Sequence, residues 1–158
     1  MIRSKNALLT ISYLGPIQYY TKFLLYDTLY IEVQENYQKQ TYRNRCRILA
    51  ANGPLSLTIP VTKDAPKVLT KDIRIDNTLE WQKRHWTSIE SAYRSSPFFE
   101  FLADDFAPFY EKTYHYLLDV TQSLQQVVLK HLEVDAEVKP TDGFVRETDA
   151  STDDLRDL

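Results

Sequence analysis

Glycine is scarce in this chain, with three in 158 residues, at 15, 53 and 143, none near another. No GxGxxG and no GxxxxGKS/T phosphate loop can be built from them, so any nucleotide is held by other means. Cysteine is scarcer still: Cys46 stands alone, which excludes an intrachain disulfide and any CxxC metal or redox pair. His85, His115 and His131 fall in no metal-ligand spacing, so no metal site is indicated, and no GxSxG nucleophile motif occurs. The residues point to no particular cofactor. Long apolar runs are missing too. The N-terminal stretch "MIRSKNALLTISYLG" is too broken by polar residues for a signal peptide or a membrane span, and the chain reads as cytoplasmic.

Apolar side chains make up 43% of the residues, enough at this length for one domain with its own core. The net charge of −3 conceals an asymmetry. Residues 1–132 carry 16 basic against 13 acidic side chains, and residues 133–158 carry 3 against 9. This predicts a mildly basic domain over residues 1–133 and an acidic, flexible tail over 134–158. The basic excess is too small for a nucleic-acid surface, which disfavours that partner.

"PIQYYTKFLLY" from Pro16 has the spacing of a short amphipathic helix with proline in its first turn. "TLYIEVQE" then alternates, with Leu29, Ile31 and Val33 on one side and Tyr30, Glu32 and Gln34 on the other, predicting a half-buried strand over 28–35. Asn52-Gly53 between two alternating runs is a strong hairpin signal over 42–61. With these two residues as the loop, Ala50 pairs with Leu55, Ile48 with Leu57 and Cys46 with Ile59. One face is then apolar, and the other carries Arg45 and Arg47. "KDIRI" at 71–75 could add a further short strand. From Asn77 the period becomes helical. An Asn77–Glu80 capping box would open a helix running to about Arg94, with Trp81, His85, Ile89 and Ala92 on one stripe. "PFFEFLA" starts another helix, and a long one follows from Asp105 and Pro108 to about Leu132. Strands first and helices after indicate an α+β fold rather than alternating βαβ units: a small antiparallel sheet, made of the hairpin and strand 28–35, packed with C-terminal helices.

Arg43, Arg45 and Arg47 occupy every second position of the expected strand, which sets neighbouring guanidiniums about 7 Å apart on one face. The row is either a solvated face pairing loosely with Glu32, or a seat for a phosphate- or carboxylate-bearing small molecule, which the planar fork of arginine suits better than lysine. His85, between Arg84 and Trp86, is either a packing residue or a proton-transfer group. Glu90 lies five residues on, off its helical face. Trp86 and Tyr93 read most simply as core aromatics, and Cys46 as a small hydrophobe on the apolar face of the hairpin.

Several blocks together resemble one family. "YLGPIQYY" at 13–20, "YRNRCRI" at 42–48, "LTIPV" at 57–61, "IRID" at 73–76 and "WQKRHWTSIESAYRSSPFF" at 81–99 are similar, in order and separation, to the WbqC-like protein family over about residues 9–133. The resemblance marks Arg43, Asn44, Arg45, His85, Trp86, Glu90 and Tyr93 as positions matching the shared motifs. It implies work in bacterial surface polysaccharide such as O-antigen, with transfer of an acyl or aminoacyl (glycine-like) group onto a sugar or nucleotide-sugar as the suggested reaction. In that account Arg43, Arg45 and Arg47 hold the anion, Asn44 adds a hydrogen bond, and His85 with Glu90 removes the acceptor's proton. A non-catalytic module that binds a phosphorylated metabolite is the alternative. Many relatives open with HQPxYLP, whereas this chain has "LTISYLG", which puts Leu9 in place of that histidine and leaves His85 as the remaining candidate base. "FVRETDASTDDLRDL" resembles a segment that precedes a further basic stretch in longer relatives, which implies a C-terminal segment cut short.

Overall fold

The computed structural model describes residues 6–62 and 67–157, so the outermost residues of the expected 1–133 and 134–158 division lie outside the described residues. Ala7, Leu8 and Leu9 of strand β1 (Asn6–Thr10) are all buried. A strand covered on both faces carries apolar residues in succession rather than in alternation, so alternation gave no sign of it. The chain then forms helix α1 (Ile17–Leu25) and returns as β2 (Thr28–Glu32), parallel to β1, with Asn6 opposite Thr28 and Thr10 opposite Glu32. One βαβ unit is therefore present after all, because the short α1 separates two strands that pair side by side.

Strand β2 does not join the hairpin. It lies in a four-stranded parallel sheet of order β5-β2-β1-β6, in which β5 is Glu137–Pro140 and β6 is Thr152–Asp154. Both edge strands come from the segment expected to be a flexible acidic tail. The physical reason is Glu32, which is fully buried at the end of β2. Its carboxylate accepts hydrogen bonds from Thr141 Oγ1 (2.8 Å), Val145 N (2.9 Å) and Gln34 N (2.8 Å), and Arg156 Nη1 lies 3.7 Å away. A buried carboxylate needs such donors, and three of these four groups belong to the tail. The ladder of β2 stops at Glu32 rather than at 35. Beyond it Val33, Glu35 and Tyr37 trade backbone bonds with Lys71, Thr70 and Val68.

β3 (Arg45–Ala50) and β4 (Gly53–Thr58) form the expected antiparallel hairpin as a separate two-stranded sheet. Its loop is Ala51-Asn52 rather than Asn52-Gly53, and Gly53 opens β4 at φ 107, a left-handed conformation that glycine adopts without strain. The pairs are accordingly Ile48 with Leu55, Cys46 with Leu57 and Arg45 with Thr58. The shift from the expected register is two residues, and an even shift leaves every side chain on its face. Cys46 is buried as expected, and burial pushes its thiol up to about 12.

Helix α2 (Trp81–Tyr93) follows as anticipated, but Glu80 precedes it in a left-handed conformation at φ 43, and Asn77 is used elsewhere. The Asn77 side chain donates to the Tyr114 carbonyl and accepts from Trp81 Nε1. After α3 (Phe99–Phe106), the expected long helix is split into α4 (Pro108–Glu111) and α5 (Leu117–His131). Residues 112–116 leave the helix to pair with "KDIRI": Ile75 N bonds the His115 carbonyl, Leu117 N bonds the Ile73 carbonyl, and Arg74 bridges Tyr116. "KDIRI" itself makes a 3-10 turn at Thr70–Asp72 and then isolated bridges, not a strand. Phe23, Leu29, Ile31, Ile59, Leu117 and Leu124 are all but inaccessible to solvent at the centre of one continuous core. The result is a mixed α/β fold, with a small antiparallel hairpin, a parallel sheet, and most of the helical residues in the C-terminal half.

Replacing Glu32 by alanine strands Thr141 Oγ1, the Val145 and Gln34 amides and part of Arg156, and should cost about 3 kcal/mol, at the low end for breaking one side of a buried charged network. Limited proteolysis should then cut Glu32→Ala between 141 and 151 at protease levels that leave the wild type intact. Equal resistance of the two proteins would show that Glu32 does not hold the segment.

Candidate functional site

The expected row of three guanidiniums is not formed. β3 begins at Arg45, and Arg43 and Asn44 lie in the preceding turn, both buried. Arg43 points inward to Glu35: Nε to Oε1 is 2.7 Å and Nη2 to Oε2 is 3.0 Å, a two-pronged pair with both side chains nearly sealed from water. Asn44 ties the same turn to the end of β4. Its Nδ2 donates to the Ile59 carbonyl at 2.9 Å, and its carbonyl accepts from Ile59 N at 2.8 Å. Asn44 Oδ1 is buried without a hydrogen-bond partner among the described residues.

Arg45 differs from Arg43. It is half-buried, its Nε donates to Thr58 Oγ1 across the hairpin at 3.1 Å, and it pairs with no carboxylate among the described residues. The Tyr37 hydroxyl is also buried without a partner. Burial pushes it up to about 12, and the charges of Arg43 and Arg45 pull it back, so both guanidiniums lie within its electrostatic reach. Arg47, on the same face of β3, is exposed and likewise pairs with no carboxylate among the described residues. Glu32, considered as a loose partner for the arginines, is committed to Thr141, Val145 and Arg156 instead.

His85 and Glu90 are not brought together. Glu90 pairs with Arg94 one turn along α2, at 3.1 Å. His85 is 5% exposed and lies in the core, where Nδ1 is 2.8 Å from the Tyr13 hydroxyl, which is itself 2.9 Å from the Tyr110 hydroxyl. Burial lowers His85 to about 4, opposed by a backbone hydrogen bond with Thr58. The Tyr110 and Tyr13 hydroxyls and His85 Nδ1 thus form one buried hydrogen-bonded chain around an imidazole that burial keeps neutral at pH 7.

Trp86 is stacked against Tyr110 and Phe99, at centroid distances of 5.5 and 6.2 Å. The Tyr93 hydroxyl accepts from Leu49 N at 3.2 Å, pinning the free edge of β3 to α2. Trp86 and Tyr93 are half-buried and line a groove between α2, α3 and β3. The sequence gives Glu35, Tyr37, Tyr13 and Tyr110 no site role, although Tyr13 falls in the shared 13–20 block and Tyr110 has the spacing of the inner side of a helix. Glu35, Tyr13 and Tyr110 meet partners 8 to 97 positions away along the chain, at separations that no local period records. Among the described residues, no group of three His, Cys, Asp or Glu side chains is placed to hold a metal ion, and no helix is long and apolar enough to cross a membrane.

These features define an α/β domain whose hairpin presents one unpaired, half-buried arginine beside a braced one. The chain belongs to the WbqC-like protein family, whose model matches residues 12–158. It is 32% identical over 104 residues to "Uncharacterized protein Rv1507c" of Mycobacterium tuberculosis, an alignment covering 65% of this chain and 42% of that protein. The chain thus spans less than half the length of the curated relative it matches. No solved structure gives a significant match.

The buried imidazole has a pH signature. In the unfolded chain His85 titrates near 6.5, and in the folded protein near 4. Between these values the unfolded state binds the extra proton, so this contribution to stability is complete above about pH 6.5. It declines by roughly 3 kcal/mol as the pH falls to 4. His85→Phe should be less stable at pH 7 and should lose less on acidification than the wild type, as read from urea midpoints at pH 7 and 4.5. Parallel pH profiles would mean that His85 is not held neutral.

Proposed function

We propose that this WbqC-like protein binds a small phosphate- or carboxylate-bearing molecule through Arg45, with the Arg43–Glu35 pair as the brace that fixes the turn. The observation that carries the reading is the contrast between two arginines two residues apart. Arg43 spends its fork on Glu35, while among the described residues Arg45 meets only a neutral threonine hydroxyl, at Nε. The remaining guanidinium edge suits a two-pronged bond to a carboxylate or phosphate. Arg47 adds a second positive charge about 7 Å along the same face.

Acyl or aminoacyl transfer onto a sugar or nucleotide-sugar of surface polysaccharide is the second reading, and family membership is what favours it. Arg45 would then hold the anionic group of donor or acceptor in a cytoplasmic setting. A donor that arrives activated requires no protein nucleophile. His85, sealed and neutral, is assigned to the core rather than to proton transfer, and Glu90 to its ion pair with Arg94.

A thermal-shift panel of sugar phosphates, nucleotide-sugars, amino acids and acyl donors tests the first reading. A ligand at a hundred times its Kd stabilises by about 2.7 kcal/mol, which raises Tm by roughly 5–10 °C at this size. The shift should vanish in Arg45→Ala and be reduced in Arg45→Lys, which keeps the charge and loses the fork. A shift equal in wild type and Arg45→Ala would remove Arg45 from the site. Turnover of any hit that survives His85→Phe, per folded molecule, would separate the core role of His85 from a catalytic one.

A further inference from the structure

The blocks that carry the family resemblance are far apart in the chain, yet one groove gathers a residue from several of them. Leu14 of "YLG", Ile48 of "YRNRCRI", Trp86 and Ile89 of "HWTSIESAY" and Phe99 of "SSPFF" all line it, with Leu102 of α3. Its volume is about 300 Å³, at the small end for ligand cavities. Leu14 holds its place there at φ 45, a backbone conformation that a bulky residue rarely adopts and that persists only where its surroundings enforce it. Trp86 is fixed by its stacking on Tyr110 and Phe99, so the wall exists before any ligand arrives.

The chemistry of the lining selects the occupant. Among the described lining residues only Ser96 and Tyr93 carry side-chain hydroxyls, and the Tyr93 hydroxyl is already engaged by Leu49 N. A sugar or an extended peptide would leave several polar groups unpaired in this groove, which binding disfavours strongly. The volume is too small for a partner helix. Trp86 already stacks with two rings, so the wall offers ring edges and aliphatic surface rather than a free stacking platform. We propose that this groove binds the alkyl portion of a small amphiphile, a medium-length acyl or alkyl chain. Ile48 faces it from the side of β3 opposite Arg45 and Arg47, so the site is separate from the proposed anion seat and does not depend on it.

The test is a fluorescence titration of the full chain with hexanoate, octanoate, decanoate and 1-octanol. Trp86 lies in the groove wall, while the other tryptophan, Trp81, is buried with its Nε1 bonded to Asn77. The wild type should give a saturable signal that tightens about fourfold per added methylene until the chain outgrows the groove. Octanol should behave as octanoate does. Octanol has no carboxylate for Arg45 to hold, so its binding is read independently of the fate of the anion seat. Ala103→Phe, which fills the groove, should weaken binding by roughly tenfold or more, the loss of a few methylene contacts. Leu102 is 36% exposed, so Leu102→Glu can fold where Ala103→Phe does not, and it should weaken binding likewise. Binding that ignores chain length, or that survives both variants in folded protein, overturns the proposal. So does a dimer at titration concentrations, measured by sedimentation, that Leu102→Glu dissociates, because a second copy would then be the occupant.

Discussion

The buried ion pair between Arg43 and Glu35 is the constraint around which the hairpin and its approach are arranged. A guanidinium and a carboxylate removed from water are tolerated only when each finds its partner in good geometry, and breaking one side is far more costly than never burying the pair. Here the two-pronged contact joins the segment leaving β2 to the turn entering β3. It thereby fixes where the hairpin starts relative to the parallel sheet. Asn44 continues the same tie to the end of β4 with two hydrogen bonds to Ile59. Arg45 is the first residue beyond this fixed point; Thr58 Oγ1 holds its Nε across the hairpin, and among the described residues no carboxylate takes the rest of its guanidinium.

β3 separates two chemistries by its pleat. Cys46 and Ile48 point toward α2, the core and the apolar groove, while Arg45 and Arg47 point to the charged side. The apolar side is supported by a buried polar chain, Tyr110–Tyr13–His85, that joins α4 to α2 through the turn after β1. Such a chain is stabilising only when every member is paired. This explains why a histidine sits in an aromatic core and why it remains neutral. Glu32 does for the parallel sheet what Arg43 does for the hairpin: a single buried charge collects donors from a distant segment and orders it.

Much of the local structure was legible. The faces of the hairpin, the span of α2, the helix at 17–25 and the burial of Cys46 follow from short-range periodicity and from glycine at a left-handed position, which act over a few residues. The same logic failed at β1, where burial on both faces erased alternation, and over 105–132, where backbone bonding to residues 73–75 interrupted a good helical pattern. It failed again for 134–158, whose acidic composition suggested solvent. Strands at a sheet edge need few apolar side chains, because backbone pairing and one buried carboxylate do the ordering.

The candidate site was legible as a motif and not as an arrangement. By itself the sequence placed Arg43, Asn44 and Arg45 together in the first strand of a hairpin with one apolar face, and His85 and Trp86 on one helix with Glu90 and Tyr93. Only the tertiary structure decided which arginine is spent internally, that His85 looks into the core, and that Trp86 and Tyr93 border a groove. The reason is that local patterns record the period of a strand or helix. The partner of a buried charge or hydroxyl is chosen by whichever distant segment the fold brings within hydrogen-bonding distance, and no short window of sequence contains it.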